Sequence, residues 1–90
     1  MITYDENKRQ ANISRHGLDF IGCEVIFDGP VFSKYDDREA YGEQRINVLG
    51  FLNSIFVHLT YTERGGDLHV ISLRKATKHE IKIFTKGLSN

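Results

Sequence analysis

The pentapeptide Glu63-Arg64-Gly65-Gly66-Asp67 limits the folds open to this chain more than any other stretch. Two consecutive glycines can both take positive φ, and the β-prone runs Thr60-Tyr61-Thr62 and Leu68 to Leu73 flank them, so the chain is expected to reverse here into two antiparallel strands. With Thr62 opposite Asp67, the residues Ile55, Val57, Leu59 and Tyr61 share a face with Leu68, Val70, Ser72 and Arg74, and that face reads as the core. The other face would carry Phe56, His58, Thr60, His69, Ile71 and Leu73, a set too apolar to be simply wet, which calls for a covering helix or a partner. Just after the hairpin, Thr77-Lys78-His79-Glu80 is a T-x-x-E capping box ahead of Ile81, Ile83 and Phe84. A short C-terminal helix follows from it, with Gly87 placed to stop it.

The remaining segments fill in around this hairpin. Asp5 can cap a helix running to about His16, with Gly17 just past its end. Tyr4, Ala11 and Ile13 are its packing residues, which leaves Lys8, Arg9, Asn12 and Arg15 on a broad wet or ligand-facing side. A second helical pattern begins at Asp19, apolar nearly all round through Leu18, Phe20, Ile21, Cys23, Val25, Ile26 and Phe27, and Asp28-Gly29-Pro30 ends it. Val31 to Tyr35 reads as a short strand, Asp36 to Gly42 as a charged loop, Arg45 to Gly50 as a strand, Phe51 to Ser54 as a turn, and Ile55 to Thr62 as the longest strand. The sum is an α+β domain: two N-terminal helices, an antiparallel sheet of three to four strands and a short C-terminal helix.

Ninety residues allow one domain, spanning 1–90. Twelve basic and twelve acidic residues cancel. Any site for a polyanion must therefore come from local clustering and not from net charge. Cys23 is the single cysteine, the first ten residues are too charged for a signal peptide, and no run approaches the ~20 apolar residues of a membrane span. A reducing cytoplasm is the expected setting.

The stretch TERGGDLHVISLRKATKHE, taken with Tyr4-Asp5, Lys8 and Arg15-His16-Gly17, resembles the BrnT family of type II toxins. The resemblance covers nearly the whole chain, with Leu73 and His69 standing where the family usually has a small residue and often an arginine. It implies a cytoplasmic bacterial endoribonuclease related in fold to the RelE toxins. It also implies a cognate BrnA-like antitoxin, bound in a complex with two copies of each protein, and contact with operator DNA only through that antitoxin.

RNA can be cleaved without a metal or other cofactor if a site orients the 2′-hydroxyl for in-line attack, offsets charge on the phosphorane and protonates the leaving 5′-oxygen. On the resemblance, Arg64 and Arg74 are the candidates to stabilise the transition state, Glu63 the general base, and Lys8 a phosphate ligand or acid-base group. Arg15, Arg45, Lys75 and Lys78 are the candidates to bind RNA. Glu63 and Arg64 sit at the turn and Arg74 about seven residues along the returning strand, roughly 20 to 25 Å away at ~3.3 Å per residue, so one compact site cannot hold all three. Either a bulge or strong curl brings them closer, or one cluster acts on RNA while the other contacts the antitoxin or forms a structural ion pair. Lys75, Lys78 and the helix start favour the Arg74 end.

Other chemistries have weaker support. Asp36, Asp37 and Glu39 are adjacent but do not converge as a hard-metal site requires. His58 and His69 fall diagonally on one face in the expected register, yet two ligands do not make a zinc site. Cys23 lies in an apolar run and lacks the electropositive, exposed setting of a reactive thiolate. A noncatalytic module that binds protein or nucleic acid is the alternative to the ribonuclease. Controlled expression separates the two by growth arrest and RNA degradation.

Overall fold

The computed structural model describes residues 1–36 and 42–88. Strand β1 (Ile2–Tyr4) leads into helix α1 (Glu6–His16), and a 3-10 helix (Cys23–Asp28) follows. Then come β2 (Phe32–Asp36), β3 (Arg45–Leu52), β4 (Ile55–Arg64), β5 (Asp67–Lys75) and α2 (Lys78–Leu88). The sheet order is β1-β5-β4-β3-β2, with β1 parallel to β5 and every other pair antiparallel. Among the described residues no helix is long and apolar enough to cross a membrane.

The fold is α+β, but it departs from the expected one in two ways. The sheet has five strands and is mixed, where three to four antiparallel strands were expected. The added strand is Ile2–Tyr4, which pairs with Leu68, His69 and Val70. Three residues are too few to show a period of two, and their pairing exists only because β5 offers a free edge. The second correction concerns the predicted second N-terminal helix, which is absent. Gly22 takes φ 88° and breaks the segment, and Asp19, the expected first residue, spends its carboxylate on the Ile21 amide (2.9 Å) and on Arg9 (2.8 Å). What remains is a turn and a 3-10 helix, and the apolar surround is explained by burial of Phe20, Cys23 and Ile26.

Helix α1 forms as its caps predict: Asp5 accepts from the Lys8 amide (3.0 Å), and Gly17 closes the end at φ 72°. The capping box of α2 is reciprocal. Thr77 N–H donates to Glu80 Oε1 (2.9 Å), and Glu80 N–H donates to Thr77 Oγ1 (3.1 Å). Gly87 does not stop this helix, which runs on to Leu88. Its role is to let α2 approach the sheet, since a Cβ there would stand 2.5 Å from the Phe32 ring.

The hairpin is a two-residue turn, with Gly65 and Gly66 at φ 57° and 85°, so Arg64 rather than Thr62 lies opposite Asp67. A bulge then interrupts the ladder: Tyr61 pairs with Val70 but Thr60 pairs with Ser72, leaving Ile71 as the extra residue. One inserted residue reverses which face every later side chain occupies. Leu73 is therefore buried in the core beside Leu59, where the outer face was expected, and Arg74 leaves the core face to stand opposite His58.

The core lies on one face of the sheet, where Leu18, Phe20, Cys23 and Ile26 pack on Val48, Val57, Leu59, Val70 and Leu73. On the other face α2 covers one end. The Phe84 ring meets Phe56 and Phe51 edge-on at centroid distances of 4.6 and 5.8 Å. The apolar outer face thus has its cover within the chain, and it no longer argues for a partner.

Candidate functional site

The second face of the sheet beyond α2 is polar and mostly half-buried, with Thr62 fully buried in it. Alternation along the strands places Lys34, Asn47, Thr60 and Ser72 in one row across β2, β3, β4 and β5, and Arg45, Thr62 and His69 in the next. Thr60 Oγ1 donates to Asn47 Oδ1 (2.9 Å), which fixes the amide, and the Thr62 hydroxyl donates to the Gln44 carbonyl (2.8 Å). Helix α1 borders this face along β5. Lys8, Arg15 and His16 line a hollow of about 250 Å³ with Asn12, Ile71 and Ser72. Lys8 and Arg15 are thus brought together as the i, i+7 spacing suggested.

Asn12 is not on a wet side. It is buried, where its amide nitrogen donates to the carbonyls of Leu73 (2.8 Å) and Leu18 (2.9 Å) and its oxygen accepts from the Leu73 amide (3.1 Å). Arg9 is tied to Asp19 and to Glu6, which raises its pKa, chiefly through the hydrogen bond to Asp19.

Arg64 and Arg74 project from the same face but from different ends of β4 and β5. Arg74 lies opposite His58, six positions along β4 from Arg64, or about 20 Å. Each guanidinium grips a carboxylate with two nitrogens. Arg64 meets Glu43 at 2.7 and 2.7 Å, and Arg74 meets Glu80 at 2.8 and 2.8 Å. The settings differ. The Arg64 and Glu43 side chains are 51% and 38% exposed, against 33% and 18% for Arg74 and Glu80. The Arg74 guanidinium, by its hydrogen bonds, holds the Glu80 carboxyl down at about 2, aided by the Thr77 amide and opposed by desolvation. His58 Nε2 stands 3.9 Å from the same carboxylate. Arg74 therefore anchors the start of α2 to β5.

Glu63 alternates away from Arg64, onto the face of Tyr61 and Leu68, and lines hollows there with Tyr35 and Ile46. Lys75 is exposed at the end of β5, and Lys78 opens α2 on the same flank as Arg74. Arg45 stands on the same face as Asn47, opposite Thr62. Thus Lys8, Arg15, Arg45 and Arg64 border one polar face, Arg74 and Lys78 stand at its covered end, and Lys75, opposite Val57, and Glu63 alternate to the other face.

His69 also stands on the polar face, opposite Thr62. Its Nδ1 lies 2.7 Å from the Thr3 hydroxyl, across the β1–β5 pairing. Burial lowers its pKa, and the charges of Arg64 and then Lys8 push the same way, against Glu43 and Asp5. Thr3 could not be linked to it without foreseeing β1. His58 and His69 are not neighbours, since His69 lies opposite Thr62, four positions from His58 and roughly 13 Å away. Among the described residues no group of three or more His, Cys, Asp and Glu side chains could hold a metal ion. Asp37 and Glu39, weighed above as metal ligands, lie outside the described residues. Cys23 is fully buried, and desolvation raises its thiol to about 11.

No curated protein matches the chain. A family model described as the ribonuclease toxin BrnT of type II toxin-antitoxin systems matches residues 4–80, which include the α1 cations, the hairpin and the α2 capping box. The chain belongs to the BrnT family of ribonuclease toxins of type II toxin-antitoxin systems.

Proposed function

We propose that this chain is a metal-independent endoribonuclease that holds RNA across the polar half of the sheet's second face. The observation that carries the reading is the convergence of Lys8, Arg45 and Arg64 on a polar face left uncovered by α2. Cations so placed neutralise charge on a phosphorane, the task a metal ion performs elsewhere.

The magnitudes favour the Arg64 end for phosphate chemistry, and Glu80 is why. Arg64's partner is a well-exposed carboxylate, and such a pair is screened by water and yields to a competing phosphate at little cost. Withdrawing Arg74 from Glu80 would leave a carboxylate largely shielded from water without its cation, at a cost on the order of 1–3 kcal/mol. Lys75 and Lys78 extend positive potential along the flank and serve RNA binding more than chemistry. Glu63, facing away, is the weakest of the proposed catalytic groups.

The partner is a BrnA-like antitoxin, in a complex with two copies of each chain in the bacterial cytoplasm. Controlled expression of the chain alone should arrest growth and fragment RNA, and coexpression with the antitoxin should restore growth. Purified chain should cleave RNA equally well with and without a chelator. Intact RNA and normal growth would point instead to a noncatalytic binding module.

A further inference from the structure

Among the groups bordering the polar face, one ring has the features of a proton acceptor. We propose that His69 is the general base of RNA cleavage, held in place by Thr3, with Lys8 and Arg64 on either side for the phosphate. The inference rests on the ribonuclease reading above and names the group that moves the proton.

The geometry supports it at three points. First, Thr3 Oγ1 and His69 Nδ1 are 2.7 Å apart, on paired positions of adjacent strands, so the ring cannot turn freely. In the tautomer this role requires, Nδ1–H donates to the threonine oxygen and Nε2 carries the lone pair, and Nε2 has no hydrogen-bond partner among the described residues. Second, the charged groups facing the ring are Arg64 from β4, Glu43 from the segment before β3, and Lys8 and Asp5 from the start of α1. Burial and the two cations keep the imidazole neutral near pH 7, the form a base requires, and the carboxylates oppose them more weakly. Third, those two cations are the ones proposed to hold the phosphate, so the base and the charge-stabilising groups share one site. Glu63, the base expected from sequence, lies on the other face of the sheet.

The step balances without oxidant or metal. Nε2 takes the proton of the ribose 2′-hydroxyl as that oxygen attacks the adjacent phosphorus. The P–O5′ bond breaks, the 5′-oxygen leaves with its electron pair and is protonated from water, and the proton on Nε2 later returns to solvent. The products are a 2′,3′-cyclic phosphate and a 5′-hydroxyl.

The test is single-turnover cleavage of an RNA oligonucleotide by the purified full chain between pH 4.5 and 9, with the product ends identified. Wild type should rise with pH through an apparent pKa below the ordinary 6.5 and then level off. Its products should be the cyclic phosphate and the 5′-hydroxyl. His69→Gln should fold, lose about 10²-fold or more in rate, and lose that pH limb. Thr3→Val should keep the limb at a rate about 10-fold lower, and added imidazole should restore part of the activity of His69→Ala. The His69 role is overturned if His69→Gln cleaves at the wild-type rate, or if it is slower with the wild-type limb intact, as a merely positioning ring would give. Wild-type chain that cleaves no RNA at any pH overturns the ribonuclease reading itself and this role with it.

Discussion

The side chain of Asn12 hydrogen-bonds both backbone groups of Leu73, accepting from its amide at 3.1 Å and donating to its carbonyl at 2.8 Å. Strand β1 covers the outer edge of β5 only from Leu68 to Val70, and Asn12 takes up the pairing beyond it. One carboxamide thereby imitates a strand residue, joins α1 to the sheet and, through Leu18, ties the connecting segment as well. Asn12→Ala leaves buried polar groups without partners, each worth about 1–3 kcal/mol. The variant should lose roughly 2–4 kcal/mol in urea unfolding. Asn12→Asp should be worse, because its oxygen would face the Leu73 and Leu18 carbonyls. A change of less than about 0.5 kcal/mol in either would mean that the edge is satisfied by water.

Glu80 makes stability depend on acid. Its folded pKa is about 2, below the ordinary 4.5, chiefly through the Arg74 hydrogen bonds. A depressed carboxylate contributes its full stabilisation above its unfolded value, and that contribution fades as pH falls from about 4.5 toward 2. Allowing for partial exposure, the loss is on the order of 2 kcal/mol. Glu80→Gln should be less stable at pH 7, and its deficit should shrink as the pH is lowered to 2.5. A deficit that stayed constant from pH 7 to 2.5 would place the stabilisation in packing instead of charge.

Local chemistry was legible in the sequence, and chain-wide geometry was not. Asp5, Gly17, Gly65-Gly66 and the Thr77–Glu80 box announce themselves because each acts within a few residues. The bulge at Ile71 left no mark, since β-branched residues suit either side of a ladder, yet it moved Leu73 into the core and Arg74 out of it. Thr3, Glu43 and Asn12 carry partners at His69, Arg64 and Leu73, far along the chain, so nothing nearby distinguished them from surface residues. Within the candidate site, Lys8 and Arg15 were legible as a helical pair. The partition of Arg64 from Arg74 depended on which carboxylates pack beside them.

Cys23 should behave as a core residue. It is fully buried, and desolvation holds its thiol at about 11, so almost none is thiolate at neutral pH. Native chain should resist iodoacetamide and react only on unfolding. Cys23→Ala should lower stability by about 1 kcal/mol for the small cavity and leave RNA cleavage unchanged. Rapid labelling of native chain, or loss of cleavage in a folded Cys23→Ala variant, would contradict this assignment.

The two hairpin arginines should separate by what they damage. Arg64→Ala removes an exposed guanidinium whose carboxylate partner is itself open to water, so the melting temperature should scarcely move while RNA cleavage falls about 10²-fold. Arg64→Lys should recover little of that, because an ammonium lacks the two-pronged fit to phosphate oxygens. Arg74→Ala leaves Glu80, the carboxylate at the head of α2, without its cation. It should cost on the order of 1–3 kcal/mol of stability and loosen α2, with cleavage per folded molecule reduced far less than in Arg64→Ala. Amide hydrogen exchange in α2 should report the loosening directly. A stable Arg74→Ala chain with normal α2 protection and cleavage reduced 10²-fold would return the chemistry to the Arg74 end and leave Arg64 to bind RNA or the antitoxin.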